Sequence, residues 1–535
     1  MSNRNSDVAR LYHASTKLFY LDLQRKPSAY KWYRALRPLP LPTEVSPLAV
    51  SALDAVAATA PAARPAQALD LPTLAGLLFY AAGRIRTRTF VSAGEVAFRA
   101  AASAGGLYPI EAYVVCGDLP GLAAGVYHFS PADFALRCLR PGDYRGALAQ
   151  AAAGDPTVAA APVTLVLSAM FWRSAWKYRA RSYRYCFWDN GTIMANVLAA
   201  ATAAGLPAGV LMGFIDAQVN HLLGLDGHRE ASTCLAPLGL PVDLRSLEDP
   251  DQVPPLSAEM DLSSREEIDY PEIARLHTAS ALTTPEEVVA WRGPRAGVTA
   301  SAQGAALPRP APRAEPRAPL RPLAPAMAAP RPLGEVIRQR GSTRRFARES
   351  MSFSQLSTIL AHATTGVPAD FLGAGGPSLL DIYLIVHAVT DLPAGSYVLR
   401  PQDQALQRLN AGDFREEAGH LCFEQALGAD ASVVVFFMAD LERVFQRFGN
   451  RGYRAVHLEA GILGGKFYLC AGAVGLGASG LTFYDDEVTA FFAPHATGKS
   501  AIFVVALGQT ARENRVRPFR SRVGMRLDAL SRRDG

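Results

Sequence analysis

The chain carries one pattern twice, at a constant spacing. Ser103-Ala-Gly-Gly-Leu-Tyr-Pro-Ile-Glu-Ala-Tyr113 matches Gly373-Ala-Gly-Gly-Pro-Ser-Leu-Leu-Asp-Ile-Tyr383, 270 positions on. The same shift relates Gly125-Val-Tyr127 to Gly395-Ser-Tyr397 and Tyr183-Arg184 to Tyr453-Arg454. It also relates Gly205-Leu-Pro-Ala-Gly209 to Gly475-Leu-Gly-Ala-Ser479. Four matches in one register mean two copies of one folding unit. The first copy is read as residues 61–285 and the second as residues 333–535. Between them, residues 286–332 are a linker, dominated from Gly293 to Pro332 by Pro, Ala and Arg, a composition that stays extended and buries no core. Residues 1–60 are read as an extension outside the repeat.

Within each copy the pattern is α+β. Ile110 to Cys116, Leu380 to Val386, Val163 to Ser168 and Val433 to Met438 are apolar runs of strand length. Gly191 to Ala204 and Gly461 to Val474 read as long apolar helices closed by Gly205 and Gly475. Asp189 and Glu459 read as acidic residues near the starts of these helices, favoured there by the helix dipole. Thr192 to Phe214 carries no charge, but Gly205-Leu206-Pro207 interrupts it and its counterpart carries Lys466. It is therefore expected to be a buried helix and strand, with no membrane span.

Charge and cysteines exclude several functions. The 54 Lys and Arg against 48 Asp and Glu leave a net +6, without a dense basic run interleaved with aromatics. That argues against nucleic acid and is compatible with an anionic substrate or peptide. The six cysteines are scattered with no CxxC, and the His residues show no metal-ligand spacing, so no metal site is expected. Met1 to Tyr20 is charged and lacks an apolar signal core, so a reducing, cytoplasmic location is expected.

Arg340-Gly-Ser342-Thr-Arg344 sets two guanidinium forks and a hydroxyl just ahead of the second copy, a donor set suited to a phosphate and a polyol chain. A basic helix start with Ser342 as cap is the plainer alternative. Ser103-Ala104-Gly105-Gly106 lets backbone N–H groups approach a flat ligand, or is an ordinary tight turn. The first resembles the opening motif of nitroreductase-fold flavoproteins. The loop Ser103 to Tyr113, with Tyr12-His13-Ala-Ser-Thr16-Lys17, resembles the SagB/ThcOx-type dehydrogenases that oxidise azolines in ribosomal peptide biosynthesis.

That resemblance implies two fused nitroreductase-like domains forming an intramolecular pseudo-dimer, with FMN at the seam. It also implies that the two sites are unequal. The first copy lacks an Arg-x-Ser-x-Arg segment, its sequence before Leu71 being rich in Ala and Pro, and the second copy has lost the Ser of the glycine loop. One FMN site is therefore expected from Ser103, Ala104, Gly105 and Gly106 of the first copy and Arg340, Ser342 and Arg344 of the second. Gly477, Ala478, Ser479, Gly480 and Leu481 would back the ring system.

In the same family a Lys-Tyr pair stands beside the flavin, and here it matches Lys177-Tyr178. Lys177 would act as base, its pKa lowered by desolvation and nearby Arg charges, and Tyr178 as relay or ring-orienting group. The second copy has Arg447 and Phe448 instead, neither able to serve. A surface lysine on an aromatic-rich helix is the plainer alternative. The expected activity is FMN-dependent dehydrogenation of an azoline-type heterocycle in a peptide. The alternatives are an NAD(P)H-dependent nitro or quinone reductase and a non-catalytic scaffold for a peptide or synthetase partner. The leading segments Tyr12-His13 and Ala29-Tyr30-Lys31-Trp32-Tyr33 to Pro42 are candidates to cover the site or dock a partner enzyme.

Overall fold

A computed structural model of the chain describes residues 3–4, 6–17, 27–58, 69–90, 94–243, 253–256, 258, 260–261, 264, 267–293, 320–328, 331–373 and 376–511. The linker from 294 to 319 and the Ala- and Pro-rich stretch 59–68 lie outside the described residues, as do Ala374 and Gly375.

The repeat folds into two antiparallel sheets. In the first half the strands are β1 (Pro38–Pro40), β2 (Arg84–Phe90), β3 (Gly94–Arg99), β4 (Ile110–Cys116), β5 (Gly125–Ser130), β6 (Ala135–Pro141), β7 (Val163–Met170) and β8 (Glu230–Leu238). In the second they are β9 (Leu320–Pro322), β10 (Met351–Ser352), β11 (Asp381–Val386), β12 (Val389–Thr390), β13 (Gly395–Arg400), β14 (Ala405–Ala411), β15 (Val433–Ala439), β16 (Gly477–Gly480) and β17 (Ser500–Gly508). The sheet orders are β1-β6-β5-β4-β7-β8 and β16-β17-β15-β11-β13-β14-β9. Even the irregularities repeat. The register shifts at Val126/Tyr127 and Leu167/Ser168 recur at Ser396/Tyr397 and Phe437/Met438.

The leading segment is not wholly outside the repeat. Leu39 of β1 pairs with Leu136 as Arg321 of β9 pairs with Leu406. The offset between these edge strands differs from 270, so a search at one register misses them.

Each sheet packs on a long helix, Ser182–Ala203 in the first copy and Arg451–Ala473 in the second. Both start earlier than the apolar run indicates, because the aromatic and Arg residues before it are themselves buried. Asp189 and Glu459 therefore lie well inside their helices, and the helix-dipole reading fails for both.

The two helices cross at equivalent residues. A Cβ on Gly191 would stand 2.5 Å from the Gly461 backbone, and one on Gly461 would stand 2.4 Å from the Trp188 carbonyl oxygen. Only glycine permits this approach, and it makes the seam pseudo-twofold. Ion pairs are exchanged across it. Arg181 and Arg184 hold Asp485 at 2.8 and 2.5 Å, while Arg451 and Arg454 hold Asp216 at 2.6 Å each. All six side chains are buried, so each arginine is matched by a carboxylate and by carbonyl oxygens from other elements.

The N-terminal helix Asp7–Ser15 touches both copies. The Tyr12 ring meets Tyr183 and Tyr453 edge-on, each at 5.5 Å. Lys31 is buried, donating to Glu230 and the Tyr113 hydroxyl at 2.7 Å each. The Thr192 to Phe214 segment forms the end of the first long helix, then bridges the sheet at Leu211. Among the described residues no helix is long and apolar enough to cross a membrane.

Candidate functional site

A cavity of about 310 Å³ opens at the seam, walled by both copies. One wall is the Ser103–Gly105 turn. Gly105 has φ +63°, and a Cβ there would stand 2.8 Å from the Tyr178 hydroxyl and 2.9 Å from Lys177 Nζ. The turn and the Lys-Tyr pair are thus packed directly together, and the positive φ favours glycine there. Lys177 and Tyr178 end the helix Phe171–Tyr178, which Arg179 closes with φ +51°. Burial pushes the Tyr178 phenol well above its ordinary value, and Tyr185 and Asp189 add to the effect, so the hydroxyl keeps its proton. Gly106 is exposed and stands outside the cavity lining.

The floor comes from the first long helix. Tyr185, Trp188, Asp189 and Thr192 share one face by their spacing and all line the cavity. The Tyr178 ring stacks on Tyr185 with centroids 4.2 Å apart. Asp189 accepts from the Ser103 hydroxyl at 2.5 Å and the Ala104 N–H at 2.9 Å. Burial pushes its carboxyl up to about 7 despite these two bonds.

The opposite wall belongs to the second copy. Ser342 bridges Ala478 in parallel, and the Thr343 N–H donates to the Ala478 carbonyl at 2.9 Å. Gly477 allows this pairing, since a Cβ there would lie 2.1 Å from Thr343 Oγ1. Gly477 and Ala478 therefore support the wall, while Ser479, Gly480 and Leu481 form it. The Tyr468 hydroxyl accepts from the Gly480 N–H at 2.7 Å and lies 3.0 Å from Ser342 Oγ. Ser342 and Arg344 both line the cavity, and Arg344 is exposed, with no ion pair among the described residues.

Arg340 differs from expectation. It does not line the cavity. Its guanidinium donates to the carbonyls of Ala100, Arg99 and Ala101 at 2.8, 3.1 and 3.3 Å and lies over the Tyr468 ring. Arg86 donates in return to the Arg340 carbonyl at 3.0 Å. Arg340 thus clasps the second copy to the stretch that leads into Ser103. Tyr12, His13 and residues 29–42 do not line the cavity either.

The pseudo-equivalent position across the seam carries different residues. Val210 stands where the first site has Gly480 and bridges Ala369. Asp370 accepts from the Met212 and Gly213 N–H groups and meets Arg292 at 3.4 Å. Trp291 packs on Phe448, the counterpart of Tyr178, and donates to its carbonyl at 3.1 Å.

Sequence reasoning missed the Asp189 anchor and the aromatic floor, though Tyr185, Trp188, Asp189 and Thr192 carry a legible helical period. Tyr468, Phe423, Gln425 and Phe503 also line the cavity, and no local pattern marks them.

The Nitroreductase family model matches residues 73–240 and 337–509, one match per copy. Putative nitroreductase MJ1384 of Methanocaldococcus jannaschii is 30% identical over 162 residues, covering 29% of this chain and 81% of that protein. Trifolitoxin-processing protein TfxB of Rhizobium leguminosarum bv. trifolii is 34% identical over 169 residues, covering 31% of this chain and 45% of TfxB. The crystal structure of a putative nitroreductase from Anabaena variabilis superposes with a TM-score of 0.72 at 24% identity, covering 95% of this chain and all of that one, a likeness of fold.

Proposed function

The chain belongs to the nitroreductase family, and on that premise we propose that it is an FMN-dependent dehydrogenase oxidising azoline-type rings in a ribosomally made peptide. The observation that carries this reading is the contact of Lys177 Nζ and Tyr178 Oη over Gly105 in the seam cavity, facing Ser342 and Arg344. The similarity to a trifolitoxin-processing protein supports a peptide substrate.

The residues present fit FMN. Arg344 and the Ser342 hydroxyl suit its phosphate and ribityl chain. Ser103, Ala104, Gly105, Gly480 and Leu481 offer backbone and small side chains to a flat ring, and Tyr185 and Trp188 an aromatic floor. Ser479 lines the same wall, Gly477 and Ala478 support it, and Arg340 holds the two halves of the cradle together. Bound FMN supplies the acceptor for a hydride. Lys177, as the neutral amine, takes the proton from the adjacent ring carbon, so the ring loses two hydrogens and becomes aromatic. Tyr178, held protonated, donates a hydrogen bond that orients the ring. A partner enzyme that installs the ring would hand over its peptide at the cavity mouth.

The test is turnover of a cyclised peptide by Lys177→Ala and Tyr178→Phe, with flavin content read from absorbance. Loss of turnover with FMN retained is expected. Full turnover by both variants rejects the assigned roles. Rapid reduction by NAD(P)H without peptide would point to a nitro or quinone reductase, and a colourless chain that takes up no FMN to a scaffold.

A further inference from the structure

We infer that Asp189 is the positioning residue of this cavity, setting the Ser103–Gly105 turn against Lys177 and Tyr178 and fixing the direction of the Ser103 hydroxyl. The inference deepens the flavin reading, but its first readout stands without it.

The geometry is a two-point anchor. One carboxylate oxygen takes the Ala104 N–H and the other the Ser103 hydroxyl, which in turn accepts from the Tyr108 N–H at 2.8 Å. Thr192, one helical turn on, holds the Ala102 carbonyl at 2.6 Å. The turn is thus suspended from the long helix, and Gly105 is carried to the one place where Lys177 and Tyr178 meet it. In the second copy Glu459 also holds the stretch ahead of its strand, accepting from the Leu379 N–H at 3.0 Å.

The anchor also controls hydrogen-bond polarity. With Asp189 ionised, Ser103 must donate to it and shows the cavity only a lone pair. With Asp189 protonated, the carboxyl donates to Ser103 Oγ, and the serine proton turns to whatever fills the cavity. Burial brings the carboxyl to about 7, so both states are reachable near neutral pH. The ionisable groups around it are Lys177 and Tyr178 on the neighbouring helix and Tyr185 and Cys186 on its own. Arg99 and Tyr108 stand behind the turn, and Arg344 and Tyr468 reach the cavity from the second copy.

Asp189→Asn imitates the protonated state, because the amide donates to Ser103 and accepts from Ala104. Asp189→Ala removes both bonds, and Glu459→Gln alters the carboxyl at the equivalent place on the second long helix. The first readout is amide hydrogen exchange of residues 104–108 in the flavin-free chain. Roughly tenfold lower protection is expected in Asp189→Ala, with little change in Asp189→Asn and none in Glu459→Gln. The second is riboflavin affinity from about pH 5.5 to about pH 8.5, riboflavin being chosen because it lacks the phosphate's own titration. Wild type should change affinity through about pH 7, and Asp189→Asn should be flat. Unchanged protection in Asp189→Ala, or the wild-type pH profile persisting in Asp189→Asn, overturns the inference. Absence of any flavin binding would instead overturn the flavin reading, with exchange still deciding the role of Asp189.

Discussion

Replacing Gly461 by alanine should split the seam. The added Cβ would stand 2.4 Å from the Trp188 carbonyl oxygen, 2.7 Å from its Cα and 2.9 Å from its carbonyl carbon. All three are backbone atoms of a buried helix, so no side chain can swing aside. Ordinary contact begins near 3.4 Å, so the helices must part by about 1 Å, a gap that forfeits up to half of each contact along the crossing. Overpacking costs about 1–3 kcal/mol, and a rigid backbone on both sides places this case at the upper end. The better helix propensity of alanine returns about 1 kcal/mol, leaving a net loss of roughly 2 kcal/mol. For domains of this size that lowers Tm by about 4–8 °C. Calorimetry is the assay, and Gly76→Ala is the control. Gly76 lies inside the helix Leu71–Ala82, where a Cβ meets only Val45 Cβ at 3.7 Å. It should gain about 0.5–1 kcal/mol from propensity alone. If both substitutions shift Tm in the same direction, the tight crossing is not what holds the copies together.

Gly105→Ala should leave Tm within a few degrees, because the turn is half-exposed, yet abolish turnover, because its Cβ displaces Lys177 and Tyr178. Paired thermal melts and peptide assays check this. Arg340→Ala leaves three carbonyls without their donor and should cost about 1–3 kcal/mol. Arg340→Lys should recover only part, since an ammonium cannot span the three carbonyls in one plane; urea midpoints measure both. Acid stability should depend on Asp216 and Asp485, each held near 2 by its two arginines against an ordinary 3.8. Their stabilisation, about 2 kcal/mol each, is present above pH 4 and lost as pH falls through 2. Asp189 and Glu459 act with the opposite sign. Both are raised to about 7, so their ionisation erodes stability as pH rises from about 4 to 7. Asp189→Asn should therefore be more stable than wild type at pH 8 and less different at pH 5, as urea titrations at the two values would show.

Much of this architecture was legible in the residues. The 270-residue repeat implied two units of one fold, and apolar runs of strand length marked β4, β7, β11 and β15. The contrast of Lys177-Tyr178 with Arg447-Phe448 marked the halves as unequal. These are local or periodic signals, which sequence carries directly.

Other features needed the fold. The motif that placed Arg340 beside Ser342 could not say that its guanidinium turns to Arg99, Ala100 and Ala101, about 240 residues earlier. Nor could it show that Asp189 holds Ser103, that Tyr12 stands between Tyr183 and Tyr453, or that Trp291 packs on Phe448 and Arg292 meets Asp370. Propensity and periodicity act over a few residues and settle where helices and strands run. The partner of a buried polar group is settled by which segments the packed core brings within 3 Å, and chain order does not record that distance.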